Sequence, residues 1–258
     1  MRGCKPTSRS PTITMKSRIR VLALLALASP AAGEVCRTER FAETGFTVCE
    51  VQAGDDLRLF LNGADGKPLS GFDRVSAVLE AEGRRLVFAM NAGMYHPDRS
   101  PVGLYVEDGK ALHRIVTRAG PGNFGLLPNG VFCIRDGTFA VIESRRYAEE
   151  KPLCRYATQS GPMLVIDGKL HPKFVAESSS LFYRNGVGVS ADGRTAWFAI
   201  SDAPVNFHAF AQFFRDALGA PQALYFDGNI SRLYAPDIGR NDLGFPMGPM
   251  VGLAVPAD

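Results

Sequence analysis

Val131-Phe132-Cys133-Ile134-Arg135-Asp136-Gly137-Thr138-Phe139-Ala140-Val141-Ile142 reads as two apolar arms joined by Asp-Gly. Asp and Gly tolerate the positive φ of a tight turn, so this pair between β-type arms predicts an antiparallel hairpin. The signal recurs at Asp108-Gly109, Asp167-Gly168 and Asp192-Gly193, each between β-type arms. Four hairpins predict a largely antiparallel sheet system. Nothing in the chain matches a phosphate-cradling Rossmann or Walker loop. Further strands are expected over 46–51, 57–61 and 86–90. Phe72, Val75, Val78 and Leu79 recur at helical spacing and place a helix over 71–82, stopped by Gly83. Phe207, Phe210, Phe214 and Leu218 do the same behind Asn206 as N-cap, with Gly219 and Pro221 ending the run. That aromatic stripe reads as core packing. The fold class is α+β: a single domain of mainly antiparallel or mixed β-sheet with a few packed helices.

The second helix leads into Ala223-Leu224-Tyr225-Phe226-Asp227-Gly228-Asn229-Ile230-Ser231-Arg232. The first four residues form a short apolar run suited to a buried strand. This Asp-Gly differs from the others, because Asn229-Ile230-Ser231 is too short and too polar to be a second core strand. Asp227 therefore reads as a carboxylate at the end of a buried strand, beside a glycine that lets a ligand approach the backbone. The competing reading is a turn capped by its own aspartate.

At 258 residues, 46% hydrophobic and 21% charged, the chain has ordinary globular composition and room for one large core or two small ones. No run of about 18 apolar residues occurs, so no membrane span is expected. Residues 21–28 form a short apolar stretch, preceded by Lys16, Arg18 and Arg20 and followed by Ser29-Pro30-Ala31-Ala32-Gly33. A basic lead, short apolar centre and small-residue exit predict a signal peptide over 1–33, cleaved before Glu34, and a mature domain over 34–258. Its removal takes six of the 29 basic residues and no acid, leaving 23 against 26 and a net charge of −3. That balance gives no support for nucleic-acid binding. Cys4 leaves with the leader, so Cys36, Cys49, Cys133 and Cys154 remain. The absence of any C-x-x-C pair disfavours a zinc site, and two disulfides suit an exported protein, periplasmic or secreted. Of the three pairings, sequence proximity favours Cys36–Cys49 with Cys133–Cys154.

Four polar clusters end strand-like runs. Asn91 leaves the run 86–90 with Tyr95 and His96 close behind; Asn before Ala-Gly also serves as a turn residue, and a lone histidine is more often structural. Gln159-Ser160-Gly161-Pro162 lacks a G-x-S-x-G frame, so polar lining or a turn is favoured over a serine nucleophile. Arg184-Asn185-Gly186 offers a planar guanidinium fork to a phosphate or carboxylate, against the plainer reading as a surface ion pair. Asp202 and Asp227 each end an apolar run and, as neighbours, would divide acid and base work in glycoside cleavage. No cofactor is certain. A divalent metal is possible through Asp227, Asp202 and Glu107, but their spacing forms no recognised loop and the ligands stay unknown.

Asn91-Ala92-Gly93-Met94-Tyr95, Gln159-Ser160-Gly161-Pro162, Arg184-Asn185-Gly186-Val187-Gly188 and Phe226-Asp227-Gly228-Asn229-Ile230-Ser231 follow one another as in the phosphodiester glycosidase domain family. The chain resembles that family from about residue 86 to its end. In the mammalian enzyme that uncovers mannose 6-phosphate the first motif looks like Asn-Gly-Gly-Phe-Phe and the last like Asp-Gly-Gly-Gly-Ser. Ala92, Met94, Asn229 and Ile230 depart from that pattern, so the chain looks closer to the exported bacterial branch. The resemblance implies a hydrolase of a sugar-1-phosphodiester or related glycosidic bond in a cell-envelope or extracellular glycan. It implies Asp227 as acid/base or nucleophilic carboxylate and Arg184 on the phosphate, while Asp202 stays the candidate partner from the reading of paired carboxylates. Asn91, Gln159 and Ser231 would hold sugar or phosphate oxygens, with Gly228 beside them. Tyr95, His96, Ser160 and Asn185 complete the substrate-binding candidates from their place in the same clusters. The expected partner is a phosphorylated or envelope glycan. The alternative is a non-catalytic carbohydrate- or polymer-binding envelope protein on the same fold.

Overall fold

All four Asp-Gly hairpins form. Gly130–Arg135 pairs antiparallel with Thr138–Glu143 across Asp136-Gly137. Tyr105–Glu107 pairs with Lys110–His113, Met163–Ile166 with Lys169–Leu170, and Asn185–Val189 with Thr195–Ser201 in the same way. At Asp108-Gly109 and Asp167-Gly168 both turn residues have positive φ, between 45° and 75°. Few residues other than Asp, Asn and Gly adopt that conformation readily, which is why the dipeptide predicts the turn.

The computed structural model describes residues 1–4 and 34–257. The predicted signal peptide and its cleavage site thus rest largely on residues outside the described ones. From Glu34 onward the strands build three sheets. In the seven-stranded sheet the order is Cys36–Phe41, Thr44–Gln52, Thr195–Ser201, Asn185–Val189, Gln222–Asp227, Met163–Ile166 and Lys169–Leu170. One five-stranded sheet runs Arg240–Asn241, Leu233–Ala235, Arg84–Asn91, Met250–Pro256 and Asp56–Phe60. The other runs Lys110–His113, Tyr105–Glu107, Tyr156–Ser160, Gly130–Arg135 and Thr138–Glu143.

The large sheet turns one face to both smaller ones. Val187, Phe198, Leu224 and Phe226 meet Phe88, Met90 and Val251 of one small sheet and Tyr105 and Phe132 of the other. The Phe198 ring sits 5.4 Å from Phe88 and, edge-on, 5.6 Å from Phe132, so one side chain joins all three sheets. On the opposite face Phe46, Val48, Ala223 and Tyr225 pack under Phe210, Phe213 and Phe214. Those rings come from the helix Phe207–Gln212 and the π-helical turn Phe213–Ala217 that continues it. The helix Phe72–Ala81 covers one small sheet through Phe72, Val75 and Leu79, and Ser144–Glu150 covers the other through Tyr147. The architecture is α+β, as expected. The two expected helices lie where their stripes place them, and Asn206 Oδ1 accepts a cap from Ala209 N at 2.9 Å. Ser144–Glu150 is an addition: at seven residues it is too short to show periodicity, and its start is fixed by Glu143 accepting from Arg145 N and Arg146 N.

Two features of the sheets set the site. Asn185 stands opposite both Ile200 and Asp227, so the ends of the three central strands gather at one end of the large sheet. Side chains alternate along Gln222–Asp227: Leu224 and Phe226 face the core between the sheets, and Tyr225 faces the helix layer. The register shifts opposite Asn185 and Gly186, which pair with Asp227 and Tyr225, so the strict alternation ends at this bulge and Asp227 closes the strand beside Asn185.

Cys36 bonds Cys49, its direct cross-strand partner, and Cys133 bonds Cys154, the pairing that sequence proximity favoured. The second bridge spans a sequence separation of 21. Replacing Cys133 and Cys154 by Ala should lower unfolding stability by about 3 kcal/mol, the chain-entropy value for a loop of that size. The urea midpoint measures it. An unchanged midpoint would mean that strand pairing alone holds the segment.

Candidate active site

The polar ends of Arg84–Asn91 and Asn185–Val189, which lie in different sheets, meet in the interior. Asn91 Nδ2 donates to Asn185 Oδ1 at 3.0 Å, and Asn185 Nδ2 donates to Asn91 O at 2.7 Å. Arg232 N donates to Asn91 Oδ1 at 3.0 Å. Ser231 Oγ lies 2.9 Å from both Tyr183 O and Asp227 O, either of which can accept its proton. Both asparagines are fully buried, and a dry amide is tolerated only when its groups are paired. Three of the motifs read from the sequence thus converge on one knot. It anchors the 228–231 turn.

The Gln159 motif serves as frame. Gln159 Oε1 accepts from Leu104 N at 3.0 Å and Val116 N at 2.9 Å, and Nε2 donates to Val116 O at 2.6 Å and Ser144 Oγ at 2.8 Å. Those four bonds use the amide's ordinary capacity. Ser160 Oγ donates to Phe226 O at 2.8 Å and steadies the strand that carries Asp227.

Asp227 lies on a cleft of about 460 Å³, together with Met94, Tyr95, Asn123, Asn229 and Ile230. It is the one carboxylate among the lining residues. Gly228 N at 2.6 Å and Asn229 N at 2.9 Å both donate to Oδ1. Burial pushes the carboxyl pKa above its ordinary value, and the backbone donors reverse only part of that rise. Tyr95 forms a wall, its hydroxyl donating to Pro246 O at 2.9 Å. Burial, and next the charge of Asp227, raise its phenol pKa.

Arg184 is fully buried, which removes the reading of it as a surface ion pair. Its guanidinium carbon sits 3.7 Å from the centre of the Phe207 ring and 5.4 Å from those of Phe182 and Tyr225. Phe207 is therefore more than core packing. Nε donates to Val205 O at 2.8 Å and Nη2 to Ser180 O at 2.9 Å, while Nη1 has no partner. None of the ion pairs among the described residues includes Arg184. Burial lowers its pKa, opposed by Tyr225 beside it. A buried cation without a counter-charge is costly, and an incoming anion would relieve it.

Other candidates lie elsewhere. His96 is exposed at a turn closed by its own N–H to Ser100 O. Asp202 Oδ1 accepts from Arg240 Nη1 at 2.6 Å and Thr47 Oγ1 at 3.1 Å, and Asp202 is absent from the lining of the Asp227 cleft. Glu107 accepts from Tyr105 Oη at 3.0 Å in a small sheet. Among the described residues no three His, Cys, Asp or Glu side chains are grouped to share a metal ion, so Asp227, Asp202 and Glu107 are not gathered. Two residues at the site were not singled out from sequence. Tyr225 stood inside an apolar run, though its place two residues before Asp227 on one strand was a usable signal. Asn123 comes from a Gly- and Pro-rich loop that carries no pattern.

The family model for phosphodiester glycosidase matches residues 84–244. The chain is 29% identical over 223 residues to the uncharacterized protein YigE of Escherichia coli (strain K12), covering 86% of each chain. In fold it is similar to the zebrafish N-acetylglucosamine-1-phosphodiester α-N-acetylglucosaminidase catalytic domain auto-inhibited by its pro-peptide. That likeness has a TM-score of 0.58 at 13% identity and covers 84% of this chain and 81% of the zebrafish one.

Gln159→Leu should unpair two buried N–H groups, a carbonyl and a hydroxyl, and cost about 2–4 kcal/mol of unfolding stability. Ligand affinity of the folded fraction should stay as it was. Weaker affinity at unchanged stability would return Gln159 to the substrate-binding residues.

Proposed function

The chain belongs to the phosphodiester glycosidase family, and on that premise we propose a hydrolase that cleaves a sugar-1-phosphodiester, or a related glycosidic bond, of a cell-envelope or extracellular glycan. The observation that carries this function is Asp227, a nearly buried carboxyl of raised pKa and the one carboxylate on the cleft. Hydrolysis between C1 of the sugar and the phosphate oxygen releases a phosphomonoester. Its second ionisation lies near pH 6, so it departs without strong help from an acid. The demanding tasks are to activate water and to hold the diester's own single negative charge in a dry site. Asp227, a stronger base for its raised pKa, takes the proton from the attacking water. Arg184 supplies the cation. Asn91, Asn185 and Ser231 hold the turn that carries Asp227, and Tyr95 walls the sugar side.

The same reading takes residues 1–33 as a signal peptide and places the protein in the periplasm or outside the cell. Two disulfides support an oxidising compartment. No helix among the described residues is long and apolar enough to cross a membrane.

Incubation with a panel of α-sugar 1-phosphodiesters should release free sugar. Asp227→Asn should cut turnover by about 100-fold or more and leave affinity largely intact. Asp202→Asn, which breaks the pair with Arg240, should act on stability more than on turnover. Ligand binding without sugar release by the unmutated protein would leave a glycan-binding protein instead.

The raised pKa also fixes a pH dependence. Turnover should rise with pH as Asp227 loses its proton. A carboxyl whose folded pKa is raised favours the fold below its unfolded value and loses that contribution as pH rises through the folded one. Asp227→Asn, which stays neutral, should therefore raise the thermal midpoint at pH 8 relative to its parent and change it little at pH 4. An equal effect at both pH values would show that desolvation of the charge is not what burdens the site.

A further inference from the structure

We propose that the Tyr225 hydroxyl is the second donor of an anion subsite begun by Arg184, and that this pair selects a singly charged phosphodiester over a doubly charged phosphomonoester. The inference rests on the phosphodiester reading of the cleft and assigns a specificity residue to it.

Tyr225 is fully buried, yet its Oη makes no well-formed hydrogen bond: Arg184 and the Asn123 side chain lie close to it without good geometry. Arg184 Nη1, on the guanidinium beside it, is buried and unpartnered too. A purely structural tyrosine or arginine normally has its polar atoms satisfied by the fold. Here two donors are left over side by side on the helix face of the large sheet, near enough to Asp227 for its charge to act on Tyr225. Gly228 keeps the spot open. A Cβ at 228 would fall on Tyr225 Oη and come within 3.5 Å of Phe182 Cβ, so a side chain there would displace the hydroxyl. Asn123 also lies near Tyr225 Oη and itself lines the Asp227 cleft, so the hydroxyl stands between the cleft and Arg184. Both atoms are shut off from solvent, and a phosphoryl oxygen reaches them when the Asn123 side chain, which lies by Tyr225 Oη and lines the cleft, swings aside.

The charge count gives the selectivity. Arg184 contributes a single positive charge. Tyr225 stays a neutral phenol, since burial pushes its pKa up and Arg184 offsets only part of that rise. The nearby Arg232 is spent on the carbonyls of Asp242, Gly244 and Phe245. A monoanion is neutralised by this set. A dianion would leave one uncompensated charge in a desolvated pocket close to the Asp227 carboxylate.

The test uses the 1-(methyl phosphate) diesters of α-glucose, α-galactose and α-N-acetylglucosamine, and takes forward the one the parent protein cleaves fastest. Calorimetry at pH 8 on the slow Asp227→Asn protein then compares that diester with the matching sugar 1-phosphate. The diester should bind at least about 10-fold tighter. Adding Tyr225→Phe should weaken diester binding about 10-fold or more while the thermal midpoint holds or rises, because an unsatisfied buried hydroxyl has been removed. Unchanged diester affinity in Tyr225→Phe, or a dianionic sugar phosphate bound as tightly as the diester, overturns the inference and leaves the hydrolase standing. If no diester is cleaved or bound while the uncharged methyl glycosides bind, the phosphodiester reading fails and this subsite with it.

Discussion

The exchange of hydrogen bonds between Asn91 and Asn185 is the constraint on which the site depends. Each side chain reaches from a strand of one sheet into the other, and each is fully buried. Apolar packing alone would let the sheets slide, because apolar contact is non-directional. An amide pair in a dry interior has one good geometry and a steep penalty for leaving it. That fixes the relative height of two strand ends. Asn91 Oδ1 then takes Arg232 N, and Ser231 leans on the carbonyls of Tyr183 and Asp227, so the 228–231 turn inherits the same precision.

Around this knot lie two charged groups placed where the fold alone would not want them. Arg184 is buried against Phe207 without an acid, and Asp227 is desolvated enough that burial outweighs its backbone donors. A desolvated charge of either kind costs the fold stability. The large core between three sheets offsets that cost, with Phe198 in contact with both neighbouring sheets. Buried charges of this kind recur at functional sites.

What could be read from the sequence was whatever is decided locally. An Asp-Gly turn is set by two residues, a helix by a stripe within a dozen, and the disulfides join cysteines close in sequence. These stand as expected. The order of the polar motifs also identified the family. The roles inside the motifs were less accessible, because they are decided by partners far along the chain. Gln159 looks like a ligand beside a glycine until Leu104, Val116 and Ser144 take its amide. Arg184 looks like a surface charge until Phe207 and Ser180 enclose it. Asp202 ends an apolar run just as Asp227 does, and only the return of Arg240 gives it an ion-pair partner.

The Asp227 carboxyl is oriented by the turn that follows its strand. Gly228 N and Asn229 N both reach Oδ1, which pins the group and spends one oxygen on the backbone. Ile230 N is a further, weaker backbone donor to the carboxyl. Without these donors desolvation would raise its pKa further and leave it loosely oriented. The short polar segment after the strand, which could not be a second core strand, is what makes this geometry available. The residues that disqualified it as a hairpin arm supply the donors that aim its aspartate.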